Sequence, residues 1–301
     1  MVRVRTTAAV ITVALAIGLL AVGPEVARSE NAATPTTPPA LPPVRPRCDP
    51  ASFRIVIDVG HTADVPGAKS ARGAPEYDFN LRLARVIEQD LVAAGFSRTA
   101  LMITAEPPRR GLIKRVRRSR KLGADLLLSI HHDSVPDKLL ETWTYEGEER
   151  RFSDRFRGHS IFISNYNARR RDSLAFAHQL GLQLKARGLQ YTTQYTLPIM
   201  GRRRRKLIDA EAGVYRFDRL VVLMKSRIPA VLLEAGSIIN RNEELLMATP
   251  EHQAVIGAAV ADAAKAYCAE PRPRRPAVVR RRARPRTGAT ARPHWWPFGR
   301  R

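Results

Sequence analysis

The stretch IVIDVGHTADVPGAKSARGAPEYDFNLRLARVIEQDL, residues 55–91, decides how this chain folds. It is entered by a short β-branched run, Arg54 to Asp58, and a turn rich in Gly and Pro follows. Leu83, Ile87 and Leu91 then recur at helical spacing, which predicts a helix over 80–94. Gly95 ends it, because glycine reaches the left-handed conformation just past a helix without a Cβ penalty. A buried strand, a loop and an amphipathic helix form the opening unit of a parallel α/β sheet.

The same rhythm continues. Strands are expected at 101–104, 125–131, 160–164, 220–224 and 230–234, and helices at 112–122, 172–187, 243–247 and 251–267. Leu126-Leu127-Leu128 is apolar without alternation, which predicts burial on both faces. The fold class is therefore α/β: a single open, mostly parallel twisted sheet with helices on both faces. Two stretches break the pattern. Residues 133–158 are polar, carry Glu141, Glu146, Glu148 and Glu149, and read as a long surface excursion or as a lid. Arg202 to Lys206 form a basic run, either a solvated face or a wall that attracts carboxylates.

With 301 residues and 44% apolar composition, the chain can bury one full core. Residues 1–27 read as a secretory signal: Arg3 and Arg5 precede an apolar run from Ala8 to Val22. Cleavage after Ala27 or Ala33 predicts a periplasmic or otherwise exported protein, and an uncleaved anchor is the alternative. Residues 28–50 are a proline-rich linker, 51–269 the folded domain, and 270–301 an arginine-rich tail. Cys48 and Cys268 flank the domain, and export makes a disulfide between them the expectation, with two separate thiols as the alternative. The net charge of +23 is concentrated in the tail, which has no acid beyond Glu270. Such a tail suits an anionic envelope polymer or a membrane surface, with Trp295, Trp296 and Phe298 at a lipid interface.

The residues able to do chemistry fall at one edge of the expected sheet. One strand delivers His61, another ends in His131-His132-Asp133, a third ends at Glu234, and Glu76 precedes the first helix. Two histidines and a glutamate can hold Zn2+ with one position open for water, and a further carboxylate can move the water's proton. No H-E-x-x-H helix forces two histidines together, so spacing alone does not single these residues out.

Longer motifs do. Ile57-Asp58-Val59-Gly60-His61, Pro66-Gly67-Ala68, Glu76-Tyr77-Asp78-Phe79-Asn80-Leu81, Ser129-Ile130-His131 and Pro229-Ala230-Val231-Leu232-Leu233-Glu234 occur in this order. Together they resemble the zinc-dependent N-acetylmuramoyl-L-alanine amidase family across nearly all of 54–267. The resemblance implies zinc ligands at His61, Glu76 and His131 and a catalytic Glu234. It also implies hydrolysis of the amide between N-acetylmuramic acid and L-alanine in peptidoglycan. Val59, Thr62, His132, Asp133 and Ser237 depart from the family pattern without removing a ligand. Side chains alternate along a strand, which separates His132 from His131 and leaves it a substrate contact or a bystander. An activator protein is an expected partner if residues 133–158 cover the zinc. Two rival classes are a catalytically silent wall-binding regulator and a cationic nucleic-acid binder. The four site residues argue against the first, and the export signal and tail-borne charge against the second.

Overall fold

The computed structural model describes residues 45–105 and 108–271. The signal, most of the linker and the tail from 272 onward lie outside the described residues. In chain order the elements are β1 (Ile55–Val59), α1 (Glu76–Ala93), β2 (Ala100–Met102), α2 (Pro108–Lys121), β3 (Leu126–Asp133), β4 (Glu141–Tyr145) and β5 (Glu148–Phe152). There follow β6 (Ser160–Ile163), α3 (Arg170–Ala186), β7 (Lys206–Asp209), β8 (Val214–Arg216), α4 (Val221–Met224), β9 (Ala230–Ser237), α5 (Arg241–Ala248) and α6 (Pro250–Ala269).

Seven strands form one mostly parallel sheet in the order β2-β1-β3-β9-β6-β8-β7. The pairs β1/β2, β1/β3, β3/β9 and β6/β8 are parallel, whereas β9/β6 and β7/β8 are antiparallel. Strand alternation sorts the core into two layers. Ile55, Ile57, Leu126, Leu128, Val231 and Leu233 pack under α1, α3 and α6. Val56, Leu127, Phe162, Ala230 and Leu232 pack on the opposite face under α2 and α4. The leucine run of β3 is thus buried on both faces, as its composition requires.

Three departures from the sequence reading have local causes. Leu220–Met224, expected as a strand, is the short helix α4, because a brief apolar run has no periodicity to distinguish the two. Its Val222 and Leu223 pack against the sheet, and Ser226 Oγ donates to the Val222 carbonyl. The arginine-rich stretch hides β7 and β8, joined by a turn in which Asp209 accepts from the Glu211 and Ala212 amides. The polar excursion folds as the hairpin β4–β5, closed by Glu146 and Gly147, both at positive φ (51° and 78°), the geometry of a two-residue hairpin turn. Trp143 docks it by donating from Nε1 to the Ala71 carbonyl.

The domain closes on its own ends. Cys48 and Cys268 are disulfide-bonded, Pro46 pairs with Pro271, and Arg47 bridges Asp172 and Glu270 at 2.9 Å each. Among the described residues, these contacts join Pro46–Cys48 to the end of α6. In the loop-entropy model, a bridge across 220 residues stabilises by roughly 5 kcal/mol. The Cys48→Ser, Cys268→Ser double variant is expected to unfold at clearly lower urea than the oxidised protein. Equal midpoints would show that the bridge contributes nothing.

Candidate metal centre

The loop after β1 is shaped to present His61. Its backbone sits in the left-handed region (φ 66°), which non-glycine residues seldom adopt. Gly60 lies against the His131 ring, since a Cβ there would fall 2.5 Å from His131 Nε2. Gly67 (φ 84°) leaves the room needed on the other side, where a Cβ would fall 2.5 Å from Glu76 Oε2 and 2.7 Å from His61 Nε2. Helix α1 begins at Glu76 rather than near residue 80, so Glu76 occupies its first position, favourable for an anion at the positive end of the helix dipole.

These elements bring three expected ligands together. Glu76 Oε2 lies 3.0 Å from His61 Nε2, and Glu76 Oε1 lies 2.9 Å from His131 Nδ1. One donor atom from each of the three residues falls within 4.8 Å of the others. Two imidazole nitrogens and a carboxylate oxygen at this spacing fit one ion with bonds of about 2.0–2.1 Å. The glutamate is enclosed, with its side chain 6% exposed, while His61 at 31% and His131 at 19% face the solvent side. Burial alone would raise the Glu76 carboxyl. Hydrogen bonds to His131 and His61 outweigh it and hold the group well below the usual range.

Glu234 pairs in register with His131 across β3 and β9, and both line one cavity of about 640 Å³ with His61 and Glu76. Among the described residues, Glu234 Oε2 has no hydrogen-bond partner. Burial, with Asp133 and Glu76 close by, pushes its carboxyl well above the ordinary value. Asp133 is raised to about 7 by burial, against the opposing pull of the Tyr195 hydroxyl and the Ser134 amide. Gln194 Nε2 and Tyr195 Oη donate to it at 2.7–2.8 Å.

His132 turns to the other face, as alternation demands. It is buried, its ring lies 5.6 Å from that of Phe79, and its Nδ1 is 2.8 Å from Asn80 Oδ1. Asn80 Nδ2 donates in turn to Glu76 Oε1 and to the Gly60 carbonyl, each at 3.2 Å. His132 thus stays outside the His61–Glu76–His131 cluster and touches Glu76 through Asn80. Sequence reasoning missed the part played by Asn80, although a residue four after Glu76 on a helix shares its face. Of residues 133–158, the cavity is lined by Asp133, Ser134, Val135 and Asp137, all before the hairpin. A second cavity of about 670 Å³, lined by His159, His252 and Glu243, contains none of the four expected site residues. His178 is paired with Asp209 at 2.7 Å.

An open α/β sheet with a two-histidine, one-carboxylate cluster at its carboxyl edge is the framework of a metal-site hydrolase. The profile of the N-acetylmuramoyl-L-alanine amidases matches residues 55–266, and the chain belongs to that family. No curated protein matches the chain in sequence comparison. Among solved structures, the amidase Ami1 from Mycobacterium smegmatis is similar with a TM-score of 0.55 at 18% identity, covering 73% of this chain and 99% of its own. The catalytic domain of CwlV from Bacillus (Paenibacillus) polymyxa var. colistinus has a TM-score of 0.51 at 24% identity, covering 71% and 97%. The CwlD amidase from Clostridioides difficile, solved in complex with the GerS lipoprotein, has a TM-score of 0.50 at 18% identity, covering 71% and 98%. These likenesses show the shared fold.

Gly67→Ala is expected to push Glu76 and His61 apart and to weaken metal binding at least tenfold. A chelator-competition titration measures this, and unchanged affinity would show that the loop yields. Burial lowers His159 to about 4, against the pull of the Gln190 carbonyl. Between its ordinary value of 6.5 and 4 the unfolded chain binds the proton and the folded chain does not, so its contribution is full above 6.5 and fades as pH falls towards 4. His159→Gln is expected to flatten this acid limb in urea denaturation, and an unaltered slope would remove His159 as its source.

Proposed function

We propose that the ion is Zn2+, held by His61, Glu76 and His131, and that Glu234 is the catalytic carboxylate of an exported enzyme that opens peptidoglycan during wall remodelling or cell separation. The observation that carries this is the placement of the unpaired Glu234 carboxyl in the same cavity as the compact His–Glu–His cluster. Bound zinc supplies a Lewis acid for the amide carbonyl and lowers the pKa of water to about 7. Glu234 takes the proton of the attacking water and returns it to the L-alanine nitrogen as the amide breaks. Asn80 and the Gly67 turn keep Glu76 aimed between the two histidines.

The basic run divides in function. Arg203 and Arg205 line the cavity, which suits the carboxylates of a stem peptide, while Arg202 and Arg204 lie outside it. The tail, 271–301, supplies a sequence-independent hold on anionic envelope polymer or membrane. The CwlD amidase is solved in complex with the GerS lipoprotein, which supports an activator protein as a partner of the present chain.

Incubation with isolated peptidoglycan is expected to release stem peptides with free L-alanine amino termini. A chelator abolishes release and zinc restores it. Glu234→Gln is expected to lower the rate by roughly 10²- to 10⁴-fold. Chelator-resistant release would reject the metal, and an undiminished Glu234→Gln rate would reject that residue's role. Absence of release from a folded, zinc-loaded wild-type chain would favour the silent wall-binding regulator.

A further inference from the structure

Helix α2 carries Lys114, Arg115, Arg117, Arg118, Arg120 and Lys121, and of these only Arg115 points inward, 5% exposed. Its phase explains why. Leu112, Arg115 and Ser119 lie at i, i+3 and i+7, on the helix face turned to the sheet. A surface helix read from its apolar residues alone conceals this, because the inward arginine is counted with its exposed neighbours.

The guanidinium is spent entirely on the loop that carries His61. Nη1 donates to Asp58 Oδ1 and to the Val59 carbonyl, and Nη2 donates to the His61 carbonyl. Asp58 is itself held by Ser129, whose Oγ donates to Oδ2 at 2.8 Å. From the opposite face of the sheet, Asn80 donates to the Gly60 carbonyl. Three consecutive carbonyls, Val59 to His61, are thus each pinned by a side chain, two by Arg115 and one by Asn80. Between those anchors the backbone of His61 holds its left-handed turn.

We infer that Arg115, neutralised by Asp58, is a positioning residue for the metal centre. It fixes the loop so that His61 Nε2 already faces Glu76 before an ion arrives. Neither the charge nor the donors of Arg115 reach the three ligand side chains. It acts through the carbonyls, and Lys cannot replace a planar fork that satisfies three acceptors at once. This inference rests on the metal-centre reading above.

The test uses the full chain, stripped of metal and titrated with zinc against a chromophoric chelator. Arg115→Lys keeps the charge. The double variant Arg115→Met, Asp58→Asn removes both charges together, so that no unpaired buried carboxylate remains. Both are expected to bind zinc 10- to 100-fold more weakly than wild type while retaining its circular dichroism. The cobalt-substituted proteins are expected to show a shifted absorption spectrum, which a merely structural role would not produce. At saturating zinc the KM for a soluble muramoyl-peptide should stay near wild type. Wild-type zinc affinity and cobalt spectrum in either folded variant would overturn the role of Arg115. A wild-type chain that binds no zinc would instead overturn the metal-centre reading itself.

Discussion

One carboxylate organises the catalytic edge. Each oxygen of Glu76 faces a different histidine, and the histidines come from segments that are distant in sequence. A buried anion of this kind is stable only when its partners are fixed, because unsatisfied charge in the interior is costly. Much of the surrounding structure serves that requirement. Gly60 and Gly67 clear space for the rings, Asn80 and the Ala68 amide add further donors, and the start of α1 places the carboxylate at the positive end of a helix.

The sheet divides the labour between its faces. Successive residues of β3 point in opposite directions, so His131 joins the metal cluster and His132 joins the helix layer. The two are linked through Asn80, which touches both Glu76 and His132. The pairing of β3 with β9 sets Glu234 beside His131 without any local sequence relation between them. Tertiary register, rather than motif spacing, is therefore what sets the Glu234 carboxyl next to the His61–Glu76–His131 cluster.

This explains what was legible in the sequence. Strand ends are visible because β-branched and leucine runs stop at polar residues, and so β1, β3 and β9 could be aligned to one edge. The apolar phase of α1, α3 and α6 was equally plain. What stayed hidden depended on polar residues whose partners lie elsewhere in the fold. Arg115 looked like one more exposed arginine, and Tyr195 and Gln194, which hold Asp133, sat in a stretch without periodicity. The hairpin β4–β5 was masked for a related reason: its strands carry charged residues on their exposed sides, and only the turn at Glu146-Gly147 marks it. Phe79 carries the Leu83–Ile87–Leu91 repeat one turn further back, but the first turn itself, Glu76 to Asp78, has no apolar signal to mark where α1 begins.

The closure of the domain on its own ends also fixes its mechanics. The Phe53 and Tyr267 rings meet 6.0 Å apart just before β1, so the Cys48–Cys268 pole sits at the amino ends of the parallel strands. The metal cluster lies at their carboxyl ends. Pro46 and Pro271 thus lie together at one pole of the described body, on the far side from the working face. A pull on Pro46 and Pro271 is therefore taken up by the disulfide beside them and does not run through the strands that hold the cluster.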